Sequence, residues 1–255
     1  MKHFLNTQDW TRAELDAVLA QAAAFKRHPA GEQLKGRSIA LVFFNPSLRT
    51  RTSFELGAFQ LGGHAVVLQP GKDAWPIEFE VGTVMDGDAE EHVAEVARVL
   101  SRYVDLIAVR AFPKFVDWAA DREDRVLRAF ARYATVPVIN LETITHPCQE
   151  LAHALALQEH FGTTDLRGRK YVLTWTYHPK PLNTAPSVSA IFASSTMKWR
   201  CASRIGFSAS QRPKYGSAPQ LFAYTTCAPR YAASMSWLTC SEPPLAATLS
   251  RAQPM

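Results

Sequence analysis

The first 150 residues alternate between strand-like and helix-like patterns of apolar positions. A capping box of Thr11 and Glu14 opens a first helix, in which apolar residues recur at helical spacing. Continuous apolar runs predict strands at 38–44, 64–68, 105–109 and 136–140. One further helix is predicted after the turn that follows the first strand, and it ends at Gly62-Gly63. Two more are predicted at 90–103 and at 116–133. The alternation indicates an α/β fold, a parallel sheet with flanking helices.

The pattern also suggests where the first domain ends. A helix from His146 to about His160 is expected to leave it, and 170–176 resembles the first strand of a second domain. We therefore expect a first domain at 1–150, a connecting helix and the start of a second α/β domain at 151–185, and a divergent tail at 186–255. The second domain is only begun, because the tail holds no run of buried-strand residues.

The tail differs from the rest of the chain in charge. It contains one acidic residue and seven basic ones, whereas residues 1–185 carry a net charge of −1. The net charge of +5 is therefore a property of the tail and does not indicate nucleic-acid binding by the folded part. The tail also lacks a recognisable nucleic-acid-reading module.

Simpler patterns argue against membrane, secreted and metal-binding classes of protein. No run of 18 apolar residues predicts a membrane span, and the first residues lack the apolar core of a signal peptide. Cys148 is the only cysteine before the tail, which suits a reducing cytoplasm. No metal-ligand spacing is present, and we expect no metal and no cofactor.

The turn after the first strand has the composition of an anion site. Ser47, Arg49 and Thr50 lie where that strand meets a helix, and the N–H groups at a helix start favour an anion. Together with the hydroxyls and the guanidinium, they form a cup that fits a phosphate group. The alternative is an ordinary helix cap with Arg49 in solvent.

Two later strands also end in polar residues. The third strand is followed by Arg110, and the fourth is followed by Glu142 and then by His146-Pro147-Cys148-Gln149 at a helix start. Ligands in open α/β sheets bind outside the carboxyl ends of the strands. We therefore expect these groups to converge with the cup.

These residues resemble the aspartate and ornithine carbamoyltransferases. The resemblance rests on Ser-x-Arg-Thr-Arg-Thr-x-x-Phe-Glu from Ser47, the strand-end Arg110 and His-Pro-x-Gln from His146, and it runs from about Phe4 to Ala185. The segments at 72–76 and 85–92 look most like the N-acetylornithine branch. The resemblance implies transfer of a carbamoyl group from carbamoyl phosphate to N-acetylornithine, the alternative acceptor being ornithine. It implies a carbamoyl-phosphate site of Ser47, Leu48, Arg49, Thr50, Trp75, Arg110, His146, Pro147, Cys148 and Gln149.

The chemistry of that reaction assigns a role to each of the main groups. Arg110 neutralises charge on the leaving phosphate, and His146 donates a hydrogen bond to the carbonyl oxygen. Gln149 accepts from the carbamoyl NH2 through its amide oxygen. The alternatives are a surface charge for Arg110 and a helix-start residue for His146. Cys148 is interpreted as a packed small side chain and not as a nucleophile.

The resemblance also implies partners. Glu142 and Asn183 would contact the amino-acid substrate, and Trp75 would reach the active site of a neighbouring subunit in a homotrimer. The alternative for Trp75 is packing over its own domain. The family's His-Cys-Leu-Pro element is absent from the chain, so a non-catalytic carbamoyl-phosphate-binding remnant stays open as a function. The resemblance stops near Ala185, and we interpret this as a change of reading frame, the alternative being a divergent tail.

The reading-frame hypothesis has a direct test in the coding DNA. Translation of the other two frames downstream of Ala185 is expected to yield a His-Cys-Leu-Pro element in one of them. Its absence from both frames contradicts the hypothesis.

Overall fold

The computed structural model describes residues 1–114 and 116–166, together with the backbone of two short strands farther along. The elements in chain order are α1 (Arg12–Arg27), β1 (Ser38–Phe43), α2 (Arg49–Gln60), β2 (His64–Leu68), β3 (Ile77–Glu78), β4 (Glu91–His92), α3 (Val93–Tyr103), β5 (Leu106–Arg110), α4 (Trp118–Arg122), α5 (Arg125–Tyr133), β6 (Val138–Glu142), α6 (Pro147–Phe161), β7 (Tyr171–Leu173) and β8 (Leu238–Cys240).

Four of these strands form a parallel sheet in the order β2-β1-β5-β6. The predicted α/β class is thus confirmed. Because the strands run in one direction, their carboxyl ends meet at one edge of the sheet, the carboxyl edge. The residues after β1, β5 and β6 therefore lie side by side.

The two faces of the sheet are covered by different helices. Ala40 and Val42 of β1 point to one face, where they join a buried cluster with α3 and α5 that includes Phe130. Leu41 and Phe43 point to the opposite face, where Phe54 of α2 packs. Burial on both faces explains why the central strands are continuously apolar.

Local sequence signals fix several helix ends. The Thr11 hydroxyl accepts from the Glu14 N–H, and the Glu14 carboxylate accepts from the Thr11 N–H, which confirms the capping box. Pro147 is at the first position of α6, where the lack of an N–H is harmless, and Gly162 ends that helix in the left-handed conformation.

The structure corrects three predicted elements. The helix expected at 116–133 is two helices, because Asp124 between them is left-handed at φ 50°. Between β2 and the predicted helix at 90–103, where no element was predicted, the structure has β3, which pairs in parallel with β4 just before α3. β7 falls within the predicted strand at 170–176, but its antiparallel partner β8 lies in the tail, where no element was predicted.

No helix in the described part of the chain is both long and apolar enough to cross a bilayer.

Candidate functional site

The expected cup lies at the start of α2. The Ser47 hydroxyl, just before the helix, accepts from the Thr50 N–H in its first turn at 3.1 Å. Leu48 is 83% exposed, and Arg49 is exposed as well, so the chain at the helix start faces solvent. Ser47, Arg49 and Thr50 thus lie at the N-terminus of a helix, which is where the sequence predicted them.

Asn45 fixes this turn to the neighbouring strand. Its Oδ1 accepts from the Phe112 N–H at 2.7 Å, and the Phe44 N–H donates to the Arg110 carbonyl at 2.9 Å. Sequence reasoning missed Asn45, although an Asn two residues after a buried strand is the available signal.

Arg110 connects the cup to the fourth strand. Its Nη1 donates to Thr50 Oγ1 at 3.2 Å and also to Glu142 Oε2, with which it forms an ion pair. Only 9% of the Arg110 side chain and 13% of the Glu142 side chain are exposed. The guanidinium also stacks 4.3 Å from the centre of the Phe112 ring. The surface-charge alternative for Arg110 is therefore wrong.

A register shift between β5 and β6 brings this ion pair together. Val109 is opposite Asn140, but the next pair is Arg110 opposite Glu142, so Leu141 is an extra residue in β6. Such irregularities re-aim side chains next to functional sites. Here the extra residue moves Glu142, and not Leu141, into position beside Arg110.

His146 completes the group. Its Nε2 lies 3.5 Å from Glu142 Oε2, and its side chain is 14% exposed. Burial, followed by the nearby Arg110 cation and His153, lowers the pKa of His146 to about 3. The imidazole is therefore neutral at physiological pH and carries one N–H that can donate without adding a charge.

Burial and charge act in opposite directions on the ion pair. Burial raises the pKa of Glu142, and the positive charges of Arg110 and Arg49 oppose that rise. Burial likewise lowers the pKa of Arg110, and the Glu142 carboxylate opposes the change. Two buried polar atoms, Arg110 Nε and His146 Nδ1, have no hydrogen-bond partner among the described residues. Such atoms are costly unless a further group pairs with them.

The rest of the His-Pro-x-Gln element is in the first turn of α6. Pro147 is buried. The Cys148 thiol lies 3.6 Å from the Asn140 carbonyl, and burial, followed by the Glu150 charge, raises the pKa of this thiol to about 12. The thiol stays protonated, which agrees with a packing role. Gln149 Nε2 lies 2.9 Å from His153 Nε2.

A hydrogen-bond network that sequence reasoning missed holds the segment between Glu142 and His146. Buried Asn140 donates to the Thr143 hydroxyl at 2.9 Å, and Thr143 donates to Asp124 at 2.6 Å. Burial raises the pKa of Asp124 to about 6. The Asp124 carboxylate thus bonds to Thr143 and makes no side-chain cap bond to α5.

Trp75 follows β2 at the same edge of the sheet. Its side chain is 62% exposed. Most of the indole is therefore left uncovered by its own domain. Asn183, the second residue expected at the amino-acid substrate, lies outside the described residues.

Comparison with known proteins agrees with this geometry. A family model for the carbamoyl-phosphate-binding domain of aspartate/ornithine carbamoyltransferase matches residues 2–159. The chain belongs to this family. It contains that carbamoyl-phosphate-binding domain, as the resemblance implied.

Individual relatives match closely over part of their length. N-acetylornithine carbamoyltransferase of Xanthomonas campestris is 81% identical over 197 residues, which cover 77% of this chain and 58% of the relative. N-succinylornithine carbamoyltransferase of Bacteroides thetaiotaomicron is 34% identical over 223 residues, or 86% of this chain and 67% of the relative. The chain thus spans less than two thirds of the Xanthomonas relative.

Solved structures match in the same way. A crystal structure of acetylornithine transcarbamylase complexed with acetylcitrulline is 82% identical in sequence, with a TM-score of 0.72. The match covers 75% of this chain and 58% of the chain in that structure. A variant N-acetyl-L-ornithine transcarbamylase complexed with carbamyl phosphate and N-succinyl-L-norvaline gives 81% identity and the same TM-score of 0.72.

Replacing Glu142 tests the ion pair. We expect Glu142→Gln to lower the free energy of unfolding by about 3 kcal/mol, because it leaves the buried Arg110 charge unpaired. Added phosphate is expected to stabilise this variant more than the unmodified protein. Urea unfolding of the full chain with and without phosphate measures both effects.

The matched control is Glu55→Gln, which breaks an exposed pair with Arg51 on α2. Its effect should stay within about 1 kcal/mol. A Glu142→Gln variant as stable as this control, with an unchanged response to phosphate, contradicts the assigned pairing.

The pKa of His146 predicts a pH dependence. The folded-state value of about 3 lies below the reference of 6.5, so neutral His146 stabilises the fold fully above pH 6.5. That contribution is lost as the pH falls from 6.5 towards 3. An NMR titration, with His146 assigned by the signal lost in His146→Gln, should find the ring neutral at pH 5. Half-protonation near pH 6.5 contradicts the burial of the ring.

Proposed function

We propose that residues 1–150 bind carbamoyl phosphate at the carboxyl edge of the sheet. The site is built to transfer the carbamoyl group to N-acetylornithine, giving N-acetylcitrulline and phosphate in arginine biosynthesis. The observation that carries the proposal is the convergence of Thr50, Arg110, Glu142 and His146 within hydrogen-bonding or polar contact of one another. The sequence identity to N-acetylornithine carbamoyltransferases supports the acceptor.

Phosphate binds in the cup. The Thr50 hydroxyl and the Arg49 guanidinium contact its oxygens, with Ser47 and the backbone of Leu48 shaping the helix start. Arg110 already contacts Thr50 and has its Nε donor buried and unpaired among the described residues, so a phosphate oxygen satisfies it. Bidentate arginine contacts suit this ligand.

The carbonyl group lies towards α6. Neutral His146 donates to the carbonyl oxygen, and the charge that develops there during attack strengthens that bond. Gln149 accepts from the carbamoyl NH2, while Pro147 and Cys148 line the turn between them. The uncharged amine of the acceptor attacks the carbonyl carbon, and the C–O bond to phosphate breaks. The phosphate leaves as an anion that Arg110 and Arg49 stabilise, and it takes up the proton that the attacking amine loses.

The amino-acid half of the site is assigned to Glu142 and Asn183. Glu142 is near enough to His146 to reach a molecule held there. Ornithine is the alternative acceptor. A second candidate function is binding without catalysis, favoured by the missing His-Cys-Leu-Pro element. The proposed domain limits remain 1–150, 151–185 and a separate tail at 186–255.

We also propose a cytoplasmic homotrimer in which the loop of Trp75 reaches the site of a neighbouring copy. The exposed indole supports this arrangement. Leu48, Leu56 and Phe59 at or on α2 are also exposed, by 83%, 51% and 75%. Apolar side chains this accessible suit a contact between proteins.

Binding is best tested with phosphonoacetamide, a stable analogue of carbamoyl phosphate. We expect calorimetry at 25 °C to detect binding, and Arg49→Gln to weaken it about 10- to 100-fold, since a hydrogen bond to a charged group contributes about 1.5–3 kcal/mol. The matched control is Arg51→Gln, two residues along α2, whose side chain pairs with Glu55. An equal loss of affinity in both variants, or no binding by the unmodified chain, contradicts the proposal that the cup binds phosphate.

A product assay separates the two candidate functions. With carbamoyl phosphate and N-acetylornithine, a transferase yields a ureido product and a binding remnant yields none; ornithine is run in parallel. We expect binding with little or no turnover from this chain. Robust product formation excludes the remnant.

A further inference from the structure

The amide of Gln149 is held by a residue that none of the assigned roles uses. His153 is one turn farther along α6, and its Nε2 is 2.9 Å from the amide nitrogen of Gln149. Side chains four apart on a helix face each other, so this contact follows from the spacing of the sequence.

The chemistry of the two groups fixes the direction of the hydrogen bond. An amide nitrogen can only donate, so His153 Nε2 must accept, and the proton of the neutral ring must be on Nδ1. Burial lowers the pKa of His153 to about 4, which keeps the ring neutral and the acceptor available at physiological pH. The amide oxygen of Gln149 is then turned away from His153.

His153 is well placed to hold that orientation. It is only 4% exposed, and its neighbour Ala154 belongs to the buried cluster between α1 and α6, which includes Leu157. It also lies near enough to His146 to affect the pKa of that ring. A buried, fixed acceptor keeps an adjacent amide in one of its two flipped states.

We propose that His153 is a positioning residue, which orients the Gln149 amide so that its oxygen accepts from the NH2 of the carbamoyl group. This inference deepens the proposed function and depends on it. Without His153, the amide can flip and present its own NH2 to the ligand, where two donors face each other. His153 therefore selects a carbamoyl group over a group of the same shape that has a methyl in place of the NH2.

The test compares two phosphonates that differ only at that position. Phosphonoacetamide carries the NH2, and acetonylphosphonate carries a methyl group instead. We expect the unmodified full chain to bind phosphonoacetamide about two- to tenfold more tightly, the range expected for one neutral hydrogen bond. His153→Leu should abolish this preference and leave the affinity for acetonylphosphonate unchanged. His153→Gln, which keeps an acceptor at similar length, should retain most of it.

The outcomes separate the inference from the function beneath it. If the unmodified chain binds neither compound, the proposed function and the inference both fail. If it prefers the amide and His153→Leu keeps that preference, or weakens both ligands equally, only the inference is overturned. If His153→Leu does not fold, ¹⁵N NMR of the unmodified protein decides: a proton on Nδ1 supports the inference, and a proton on Nε2 overturns it.

Discussion

The ion pair of Arg110 with Glu142 is the interaction on which the site depends. Two opposite charges lie between neighbouring strand ends, each less than one sixth exposed. Removing such groups from water is costly, and the pair is tolerated because each charge neutralises the other. The pair also fixes what surrounds it, since Arg110 contacts Thr50 in the cup and Glu142 lies beside His146.

This arrangement explains how one edge of a sheet can recognise an anion joined to a neutral carbonyl group. The positive side chains, Arg49 and Arg110, are on the side of β1 and β5. The neutral donor, His146, is on the side of β6. In the proposed complex, the phosphate contacts the unpaired Nε of Arg110 while Nη1 stays with Glu142, so the carboxylate is held beside the bound anion.

The sequence predicted the sheet and the residues at its edge, because buried strands and helix starts have local signals. It did not predict how those residues pair. Glu142 is opposite Arg110 only because Leu141 is an extra residue in β6, and no local pattern encodes that shift. Asp124, at the break between α4 and α5, likewise accepts a hydrogen bond from Thr143, 19 residues away. Asn183 and the limits of the second domain remain predictions.

The most direct measurement is a crystal structure of this chain with phosphonoacetamide bound. The account predicts phosphonate oxygens within hydrogen-bonding distance of Arg49, Thr50 and Arg110. It also predicts the carbonyl oxygen at His146 and the NH2 at the amide oxygen of Gln149. A ligand bound elsewhere, or one held at α2 while Arg110 and His146 make no contact with it, would contradict the account.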